Sequence, residues 1–360
     1  MTQVKANKPE VDFDVQLKAY KLMCLSKAMA EHYDANKEIA AKYVHSTSRG
    51  HEAIQIAAGL LLTEHDYASL YYRDESILLA LGLEPYELML QLMAKKDDPF
   101  SGGRSYYGHP SIKRPGFPII PHQSSATGMQ AIPATGMAHA IHYFETQELE
   151  SPNQPIVLCS IGDGAMTEGE VSEAMQMAVL KGLPIIYLVQ DNEWGISATG
   201  DEMRAMDAYK FAEGYKGMKR MHVDGADFDA SYETLEKAFT YAREHRKPVL
   251  VHASVPLLGH HTSGVRKEWY RTEKDISSHE LRDPWVRLRT ELEEVGISTK
   301  ELDELADEAK ISVEEAFDQA VNSPDPDPDS AQEHVVAPTP ITEEKGIRHK
   351  ESGDLSLIHI

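Results

Sequence analysis

Short apolar runs and helix-spaced apolar stripes alternate through the central part of the chain. Four runs have the composition of buried strands: "PIVLCSI" (155–161), "PIIYLV" (184–189), "KRMHVDG" (219–225) and "KPVLVHASV" (247–255). Apolar residues at helical spacing predict one helix over 168–181, between the first two runs, and another over 230–245, between the last two. Strands that alternate with helices predict an α/β fold, with a mostly parallel sheet and helices on both of its faces.

Helical patterns also precede and follow this central region. Helices are predicted over 14–34 and 50–66, and two acidic surface helices are predicted beyond residue 283, so that the fold has helical N-terminal and C-terminal extensions. Residues 98–137 are rich in Gly, Pro, Ser and His, which predicts a long ordered loop of the kind that lines enzyme sites.

The same patterns predict the domain organisation. A polar, disordered N-terminus is expected over 1–13, followed by a single domain over 14–321. Proline alternates with aspartate in the next stretch, so 322–346 is predicted to be a stiff linker. The last segment, 347–360, is too short to fold alone and is expected to be an unstructured tail, either truncated or non-native.

Composition and charge exclude several classes of protein. With 58 acidic and 36 basic residues the formal net charge is −22, which argues against a nucleic-acid binder because phosphates are neutralised by clustered Lys and Arg. Cys24 and Cys159 lie in apolar runs without metal-binding spacing and are predicted to be reduced core thiols. The N-terminal stretch is polar and lacks the apolar region typical of a signal peptide, and no apolar run approaches the ~20 residues that a membrane span needs. A cytoplasmic protein without membrane contact is therefore expected.

The stretch "GDG" (162–164) follows the first predicted strand directly, at the sheet edge where α/β proteins bind ligands. Gly162 and Gly164 leave backbone N–H groups accessible to a diphosphate at the start of a helix, and Asp163 suits a hard cation such as Mg²⁺ that bridges phosphates. One helix and one strand later, Asn192 returns to the same edge, where the carbonyl of Trp194 offers a third oxygen. Taken alone, "GDG" and the later "DN" are also common tight turns, so the spacing carries the interpretation.

This spacing resembles the thiamine diphosphate motif, in which GDG is followed, one helix and one strand later, by two asparagines. Over 14–321 the chain resembles the alpha subunit of the decarboxylating component of 2-oxo acid dehydrogenase complexes, particularly the branched-chain type. The resemblance implies thiamine diphosphate and Mg²⁺ as cofactors, with Ile196 packing beneath the aminopyrimidine. The residues that it implies for the metal and the diphosphate are Gly162, Asp163, Gly164, Ala165, Asn192 and Trp194, with Asp163, Asn192 and Trp194 as the metal ligands.

Two further segments match the same family. "LYYRDES" (70–76) resembles its Tyr-Arg pair, which implies that Tyr72 and Arg73 contact the diphosphate; arginine offers a planar fork of donors. "LLGHHTSGVRKEWYR" (257–271) resembles its active-site loop, which implies a catalytic His261 beside the cofactor, where an imidazole that titrates near neutrality suits proton transfer. Without the family, the first segment reads as a capped surface turn and the second as a solvated or metal-binding His pair.

Several positions depart from the family pattern. Asp191 replaces the first asparagine of the motif and is expected to change local hydrogen bonding more than metal binding. Gln190 and Leu257 stand where branched-chain relatives have arginines near the site, which implies weaker cofactor binding or compensation from a partner. "SSATGMQAIP" (124–133) resembles a cofactor-lining segment but carries one extra residue, so the family's monovalent cation site is not assigned to it.

The resemblance implies oxidative decarboxylation of a 2-oxo acid with acyl transfer to a lipoyl group. It also implies a lipoyl acyltransferase component and a beta subunit in an α2β2 assembly, since the family's glutamate on the aminopyrimidine comes from beta; the Pro-rich linker also fits the alpha half of an alpha–beta fusion. His260 before His261 favours branched-chain substrates. Two alternatives stay open: an acetoin dehydrogenase-type alpha subunit, and a non-catalytic paralogue that binds partners through its acidic surface.

Overall fold

The computed structural model describes residues 11–148 and 153–335. The strands are, in chain order, β1 Tyr67–Ser69, β2 Val157–Gly162, β3 Ile185–Asp191, β4 Trp194–Gly195, β5 Ala198–Thr199, β6 Lys219–Asp224 and β7 Val249–Ser254. The α-helices are α1 Phe13–Ala35, α2 Lys37–Ala40, α3 Glu52–Leu61, α4 Glu75–Ala80, α5 Pro85–Leu92, α6 Ala131–Thr146, α7 Gly169–Lys181, α8 Gly200–Met203, α9 Ala208–Phe211, α10 Phe228–His245, α11 Glu273–Glu280, α12 Pro284–Glu294 and α13 Thr299–Asn322. Short 3-10 turns cover Gly164–Thr167, Ala212–Gly214, Lys267–Trp269 and Pro328–Gln332.

Five strands form one sheet in the order β1-β2-β3-β7-β6, and every neighbouring pair in it is parallel. The two remaining strands, β4 and β5, form a small antiparallel hairpin directly after β3. The prediction of an α/β fold with a mostly parallel sheet is therefore confirmed. All four strands that the apolar runs predicted are present, and β1 is an additional short edge strand.

Alternate residues of the central strands point to opposite faces of the sheet and enter two separate hydrophobic clusters. On one face, Leu158 and Ile186 pack in a cluster that includes residues of α1, α3 and α10. On the other face, Cys159 and Tyr187 pack with residues of α6 and α7. Helices therefore cover both faces, as predicted, and both cysteines are buried free thiols.

The helical extensions at the two ends of the domain pack together, because α1 lies against α12 and α13. The helices predicted beyond residue 283 are present. The prediction that α13 is a surface helix is wrong for one of its faces, which is buried. Leu302, Val313 and Phe317 are buried, while the acidic residues of α13 lie mostly on its outer face. This amphipathic pattern makes α13 part of the core that α1 completes.

Two predicted boundaries differ from the structure. The helix predicted over 50–66 spans Glu52–Leu61, because Leu62 is extended and Thr63 and Asp66 form a capped turn. The loop predicted over 98–137 ends earlier, since α6 begins at Ala131. Pro133 lies in the first turn of α6, where a missing N–H removes no helical hydrogen bond, and this proline made the segment resemble a loop.

The chain divides into a compact unit that ends at Pro326 and a second unit that begins at Asp327. In the second unit, Asp327 caps the 3-10 turn over Pro328–Gln332. The predicted linker, 322–346, is described only as far as residue 335, and the predicted tail, 347–360, lies outside the described residues, as do the first ten residues of the predicted N-terminal segment. The domain boundaries stay predictions.

Candidate active site

The structure brings all ten sequence-predicted site residues to one cavity of about 320 Å³. They come from four separate segments of the chain: Tyr72, Arg73, Gly162, Asp163, Gly164, Ala165, Asn192, Trp194, Ile196 and His261. Residues of 124–130 complete the wall, so the long polar loop lines the site as its composition indicated. Ten residues scattered over the chain meet at a single place because the parallel sheet carries its loops to one edge.

Two neighbouring strands place the acid and the carboxamide. Gly162 is the last residue of β2 and is paired with Gln190 of β3, so Asp163 and Asp191 follow at the same level, with Asn192 one residue further. The helix expected directly after GDG does not begin there: a 3-10 turn over Gly164–Thr167 intervenes, and α7 starts at Gly169. The predicted contribution of a helix N-terminus at this point is therefore wrong, because what lies beside Asp163 is the backbone of a turn.

The carboxylate of Asp163 is not free in this structure, because Arg204 reaches it from the loop after α8. Arg204 Nη1 lies 2.5 Å from Asp163 Oδ2, and Arg204 Nη2 lies 2.8 Å from both carboxylate oxygens of Asp191. On its other side Asp191 contacts His252, with Nε2 at 2.8 Å from Oδ2. One guanidinium thus bridges the two acids that the ends of β2 and β3 bring together.

Burial gives this bridge its electrostatic character. The side chains of Asp163 and Asp191 are only 4% and 7% exposed. Burial, and then the neighbouring Asp191 charge, raise the pKa of Asp163. Burial acts in the same direction on Asp191, but the hydrogen bonds from His252 and Arg204 outweigh it, so the pKa of Asp191 lies below its ordinary value. The pair is therefore a place where a cation is needed, and Arg204 supplies it.

Arg73 supplies a buried positive charge to the cavity. It is 1% exposed, and its guanidinium donates to the backbone carbonyls of Thr47 (3.5 Å) and His261 (3.1 Å). Its Nε is buried without a hydrogen-bond partner among the described residues. A buried cation that is held by neutral carbonyls and keeps an unpaired N–H is suited to bind an anionic group.

His261 lies between the hairpin and the Tyr-Arg segment. Its Nδ1 accepts from the backbone N–H of Ile196 at 3.2 Å, and its Nε2 lies 3.4 Å from the hydroxyl of Tyr72. Because a backbone N–H can only donate, Nδ1 carries no proton and the ring proton is on Nε2. Burial, with the charge of Arg73, lowers the pKa of His261 to about 3. The expectation of an imidazole that titrates near neutrality is therefore wrong for this ring environment.

Ile196 has a strained backbone. Its φ is +58°, in the left-handed region that a β-branched residue rarely adopts, and its side chain is half exposed. This conformation costs about 1–2 kcal/mol. Backbone strain of this kind collects at functional sites, and here it presents an apolar side chain to the cavity.

Two of the departures from the family pattern, Gln190 and Leu257, lie behind the cavity wall. Gln190 is fully buried and hydrogen bonded to His51 and Asp74, among other residues, and Leu257 is 1% exposed; neither lines the cavity. Burial, followed by the charge of Arg73, lowers the pKa of His51 to about 3, so this ring is neutral. His260 also turns away from the cavity and lies near Asp34.

Sequence reasoning missed several contributors to the site, among them Arg204, His109 and Met203. Arg204 lies in the polar segment "DEMRAMD" (201–207), where nothing local distinguishes it from a surface arginine. Arg204 contacts Asp163, whereas His109 and Met203 line the cavity itself, the first from the long loop and the second from α8. The composition of residues 98–137 pointed to the loop that contains His109, but tertiary contacts alone identify the other two.

Comparison with known proteins decides the family. The family model described as "Dehydrogenase E1 component" matches residues 20–329, most of the chain. The chain belongs to the dehydrogenase E1 component family. This E1 chain is 29% identical over 322 residues to the 2-oxoisovalerate dehydrogenase subunit alpha of Bacillus subtilis (strain 168), covering 88% of this chain and 94% of that protein. It is 29% identical to the pyruvate dehydrogenase E1 component subunit alpha of Rickettsia bellii (strain RML369-C), covering 77% and 82%, and 30% identical to that of Rickettsia felis (strain ATCC VR-1525 / URRWXCal2), with the same coverage. The resemblance to alpha subunits of 2-oxo acid dehydrogenases is thereby confirmed.

Two features of the E1 chain bear on the expected membrane contact and metal site. In the part of the chain that the structure describes, none of the helices combines the length and apolar character that crossing a bilayer requires. The same residues contain no cluster of three or more His, Cys, Asp or Glu side chains with metal-binding geometry. The predicted metal site needs no such cluster, because it uses one carboxylate, one carboxamide and one backbone carbonyl.

Proposed function

We propose that this chain is the alpha subunit of a thiamine diphosphate- and Mg²⁺-dependent 2-oxo acid dehydrogenase. In this role it catalyses, together with a beta subunit, oxidative decarboxylation of a 2-oxo acid and acyl transfer to a lipoyl group. The observation that carries the proposal is the convergence of all ten predicted residues on one cavity. The membership of the dehydrogenase E1 component family and the similarity to alpha subunits of 2-oxoisovalerate and pyruvate dehydrogenases support it.

The side chains of the cavity fit the proposed cofactor. The unpaired Nε of buried Arg73 suits a phosphate oxygen, and the carboxylate of Asp163, which Arg204 contacts in this structure, is a hard oxygen ligand of the kind that Mg²⁺ prefers. Asp163, Asn192 and the carbonyl of Trp194 would hold Mg²⁺. Tyr72, Arg73 and the backbone of Gly162, Gly164 and Ala165 would hold the diphosphate. When bound, thiamine diphosphate supplies the carbanion chemistry that cleaves the bond between the 2-oxo carbon and the carboxylate.

The chain itself contributes binding, orientation and one placed proton. Ile196 would pack beneath the aminopyrimidine, where its strained backbone holds the side chain against the cavity. His261 keeps a proton on Nε2 beside Tyr72, because Nδ1 accepts from the N–H of Ile196. At neutral pH this ring therefore serves as a neutral hydrogen-bond donor to a developing oxyanion. Its low pKa argues against a role as a protonated imidazolium.

The proposed assembly needs further components. A beta subunit would supply the glutamate that contacts the aminopyrimidine, as the resemblance implies, so the chain would be inactive alone. A lipoyl acyltransferase would receive the acyl group. A branched-chain 2-oxo acid is the first substrate to test, because the 2-oxoisovalerate relative is matched along 94% of its length.

The proposal is tested by a decarboxylation assay on the chain co-expressed with its beta subunit. CO₂ release is followed with 3-methyl-2-oxobutanoate and pyruvate, and cleavage of acetoin, which has no carboxylate to lose, is followed in parallel by the aldehyde that it forms, each with thiamine diphosphate and Mg²⁺. The matched variants are Asp163→Ala and Asp201→Ala, the second at an exposed aspartate outside the cavity. Cofactor-dependent turnover of a 2-oxo acid by the wild type and by Asp201→Ala, but not by Asp163→Ala, supports the proposal. Turnover of acetoin alone, or of no substrate by an intact complex, contradicts it.

A further inference from the structure

A row of buried polar side chains runs from the predicted metal ligand into the core, and the proposed function leaves it unexplained. Asn192 contacts His51, His51 contacts Gln190, and Gln190 contacts Asp74. All four side chains are at most 3% exposed. Buried hydrogen-bond networks of this kind fix the direction of every donor, because each mismatched pair would leave an unsatisfied polar group.

The end of the row at the cavity fixes the orientation of Asn192. The backbone N–H of Trp194 lies 3.1 Å from Asn192 Oδ1, and a backbone N–H can only donate. The oxygen of the carboxamide is therefore on the side of Trp194, and the nitrogen is on the side of His51. Asn192 Nδ2 lies 3.2 Å from His51 Nε2. Since an amide nitrogen can only donate, His51 Nε2 must accept and carries no proton.

The contacts at the core end of the row independently require the same tautomer of His51. Gln190 Nε2 donates to Asp74 Oδ1 and to the hydroxyl of Ser160, each at 2.8 Å, so Gln190 Oε1 faces the other way. That oxygen lies 2.8 Å from His51 Nδ1. Because a carbonyl oxygen can only accept, His51 carries its proton on Nδ1. Both ends of the row thus require the same tautomer, with Nδ1 protonated and Nε2 bare.

We propose that His51 is a positioning residue that holds the carboxamide of Asn192 with its oxygen toward the metal site. Gln190 acts through His51 by accepting the Nδ1 proton, which leaves Nε2 as an acceptor that binds the amide nitrogen and keeps it away from the cation. This gives Gln190, which stands where branched-chain relatives have an arginine, a role behind the cavity wall. The inference rests on the proposed function, because it concerns the metal that the function requires.

A purely structural role for the row predicts different behaviour. If His51 only fills a polar gap in the core, its removal lowers the free energy of unfolding. It then has no effect on metal binding that depends on the orientation of Asn192. If it orients the amide, its effect depends on the side chain at position 192. A carboxylate has two equivalent oxygens and needs no orientation, so Asn192→Asp makes the metal site independent of His51.

The tautomer is tested first, on the metal-free full chain. Long-range ¹⁵N–¹H spectra of histidine-labelled protein distinguish an Nδ1–H ring from an Nε2–H ring, and the signal of His51 among the 17 histidines is the one lost in His51→Gln. The inference requires an Nδ1–H ring. An Nε2–H ring or an imidazolium would overturn it, whatever the outcome for metal binding. This spectrum needs no cofactor and is therefore independent of the proposed function.

Metal affinity is tested in the complex with the beta subunit, by Mn²⁺ titration in the presence of thiamine diphosphate. His51→Phe is expected to weaken Mn²⁺ binding about 10- to 100-fold, the usual effect of losing a partner of a metal ligand. His51→Gln can offer one donor and one acceptor and should recover most of this loss. In an Asn192→Asp background, His51→Phe should change Mn²⁺ binding by less than about threefold.

The outcomes separate the two claims. A wild-type complex that binds Mn²⁺, with His51→Phe binding it equally well, overturns the positioning role and leaves the proposed function standing. Equal losses from His51→Phe in both backgrounds identify a general structural defect and also overturn the positioning role. A wild-type complex that binds no Mn²⁺ overturns the proposed function itself, and the purpose of the row with it.

Discussion

A substitution of Arg204 tests the electrostatics of the site. Its guanidinium lies between two buried carboxylates, Asp163 and Asp191, and is itself only 13% exposed. Replacing Arg204 with Met keeps most of the side-chain volume but removes the charge. The variant leaves two acids in contact with each other in a buried place, and His252 remains as a partner of Asp191 alone.

The stability that Arg204→Met should lose follows from the burial of the ion pair. Removing one partner of a buried ion pair typically costs about 3–5 kcal/mol, and the lower value applies here because Asp191 keeps His252. Unfolding about 300 ordered residues releases about 2.1 cal/mol/K per residue, or about 0.6 kcal/mol/K in total. A loss of about 3 kcal/mol therefore lowers the melting temperature of the metal-free chain by about 5 °C.

The pH dependence has a definite sign. The pKa of Asp163 is raised in the folded chain, so its carboxyl keeps a proton there at pH values at which the unfolded chain has released it. The free energy of unfolding therefore falls as pH rises from the unfolded pKa to the raised folded pKa. Without Arg204 the pKa of Asp163 rises further, so the deficit of Arg204→Met should be small near pH 5 and largest near pH 8.

The assay is scanning calorimetry of wild type, Arg204→Met and a control, Arg266→Met, at pH 5 and pH 8 in EDTA. Arg266 forms exposed ion pairs with Asp34 and Glu268, whose removal should cost less than about 1 kcal/mol. Adding Mg²⁺ with thiamine diphosphate should raise the melting temperature of Arg204→Met more than that of wild type, because the metal supplies the missing charge. If Arg204→Met melts within about 1 °C of wild type at pH 8, or loses more at pH 5, the electrostatic reasoning is wrong.

Three further predictions concern other buried or strained groups. Ile196→Asn should relieve the left-handed backbone strain and raise the free energy of unfolding by about 1 kcal/mol while weakening thiamine diphosphate binding; a less stable variant in urea unfolding would contradict this. Burial raises the pKa of Glu75 from 4.5 to about 8, so the wild type loses stability as pH rises through this window. The advantage of Glu75→Gln over wild type should therefore grow between pH 5 and pH 8 in urea unfolding, by at most about 1.4 kcal/mol per pH unit, and an advantage that shrinks would refute the assignment. Arg73→Met should weaken thiamine diphosphate binding about 10- to 100-fold by calorimetry without a comparable loss of stability, since its guanidinium is held by neutral carbonyls; unchanged affinity would remove Arg73 from the site.

The sequence predicted the fold well in segments whose apolar residues follow one clear period. The continuous runs around Leu158 and Ile186 admit no solvent-exposed face, and they became central parallel strands. The helix α6 was not predicted, because Pro133 and Gly136 interrupt the helical spacing of its apolar residues. Neither residue disrupts the helix at the position where it lies. The acidic character of α13 likewise concealed its buried stripe, since only every third or fourth residue faces α1.

The site was predicted from motifs that carry their chemistry locally, and the missing parts are those that arise from tertiary contact. Asp163 and Asn192 are recognisable because each directly follows a strand of the same parallel sheet. Arg204, by contrast, gains its role only when its loop folds over two strand ends, and His51 only when α3 brings it beside β3. The pKa of His261 could not be anticipated either, because it depends on burial and on the charge of Arg73.

The central claim is that two strand ends share one metal on a diphosphate, and a calorimetric titration tests it most directly. Thiamine diphosphate is titrated with and without Mg²⁺ into the chain assembled with its beta subunit, beside Asp163→Ala and the control Asp201→Ala. The account predicts Mg²⁺-dependent binding by wild type and by Asp201→Ala, and a loss of more than about 100-fold in Asp163→Ala, beyond the usual effect of losing an outer-shell partner. An assembled wild-type complex that binds no thiamine diphosphate, or an Asp163→Ala complex that binds it as tightly as wild type, would contradict the account.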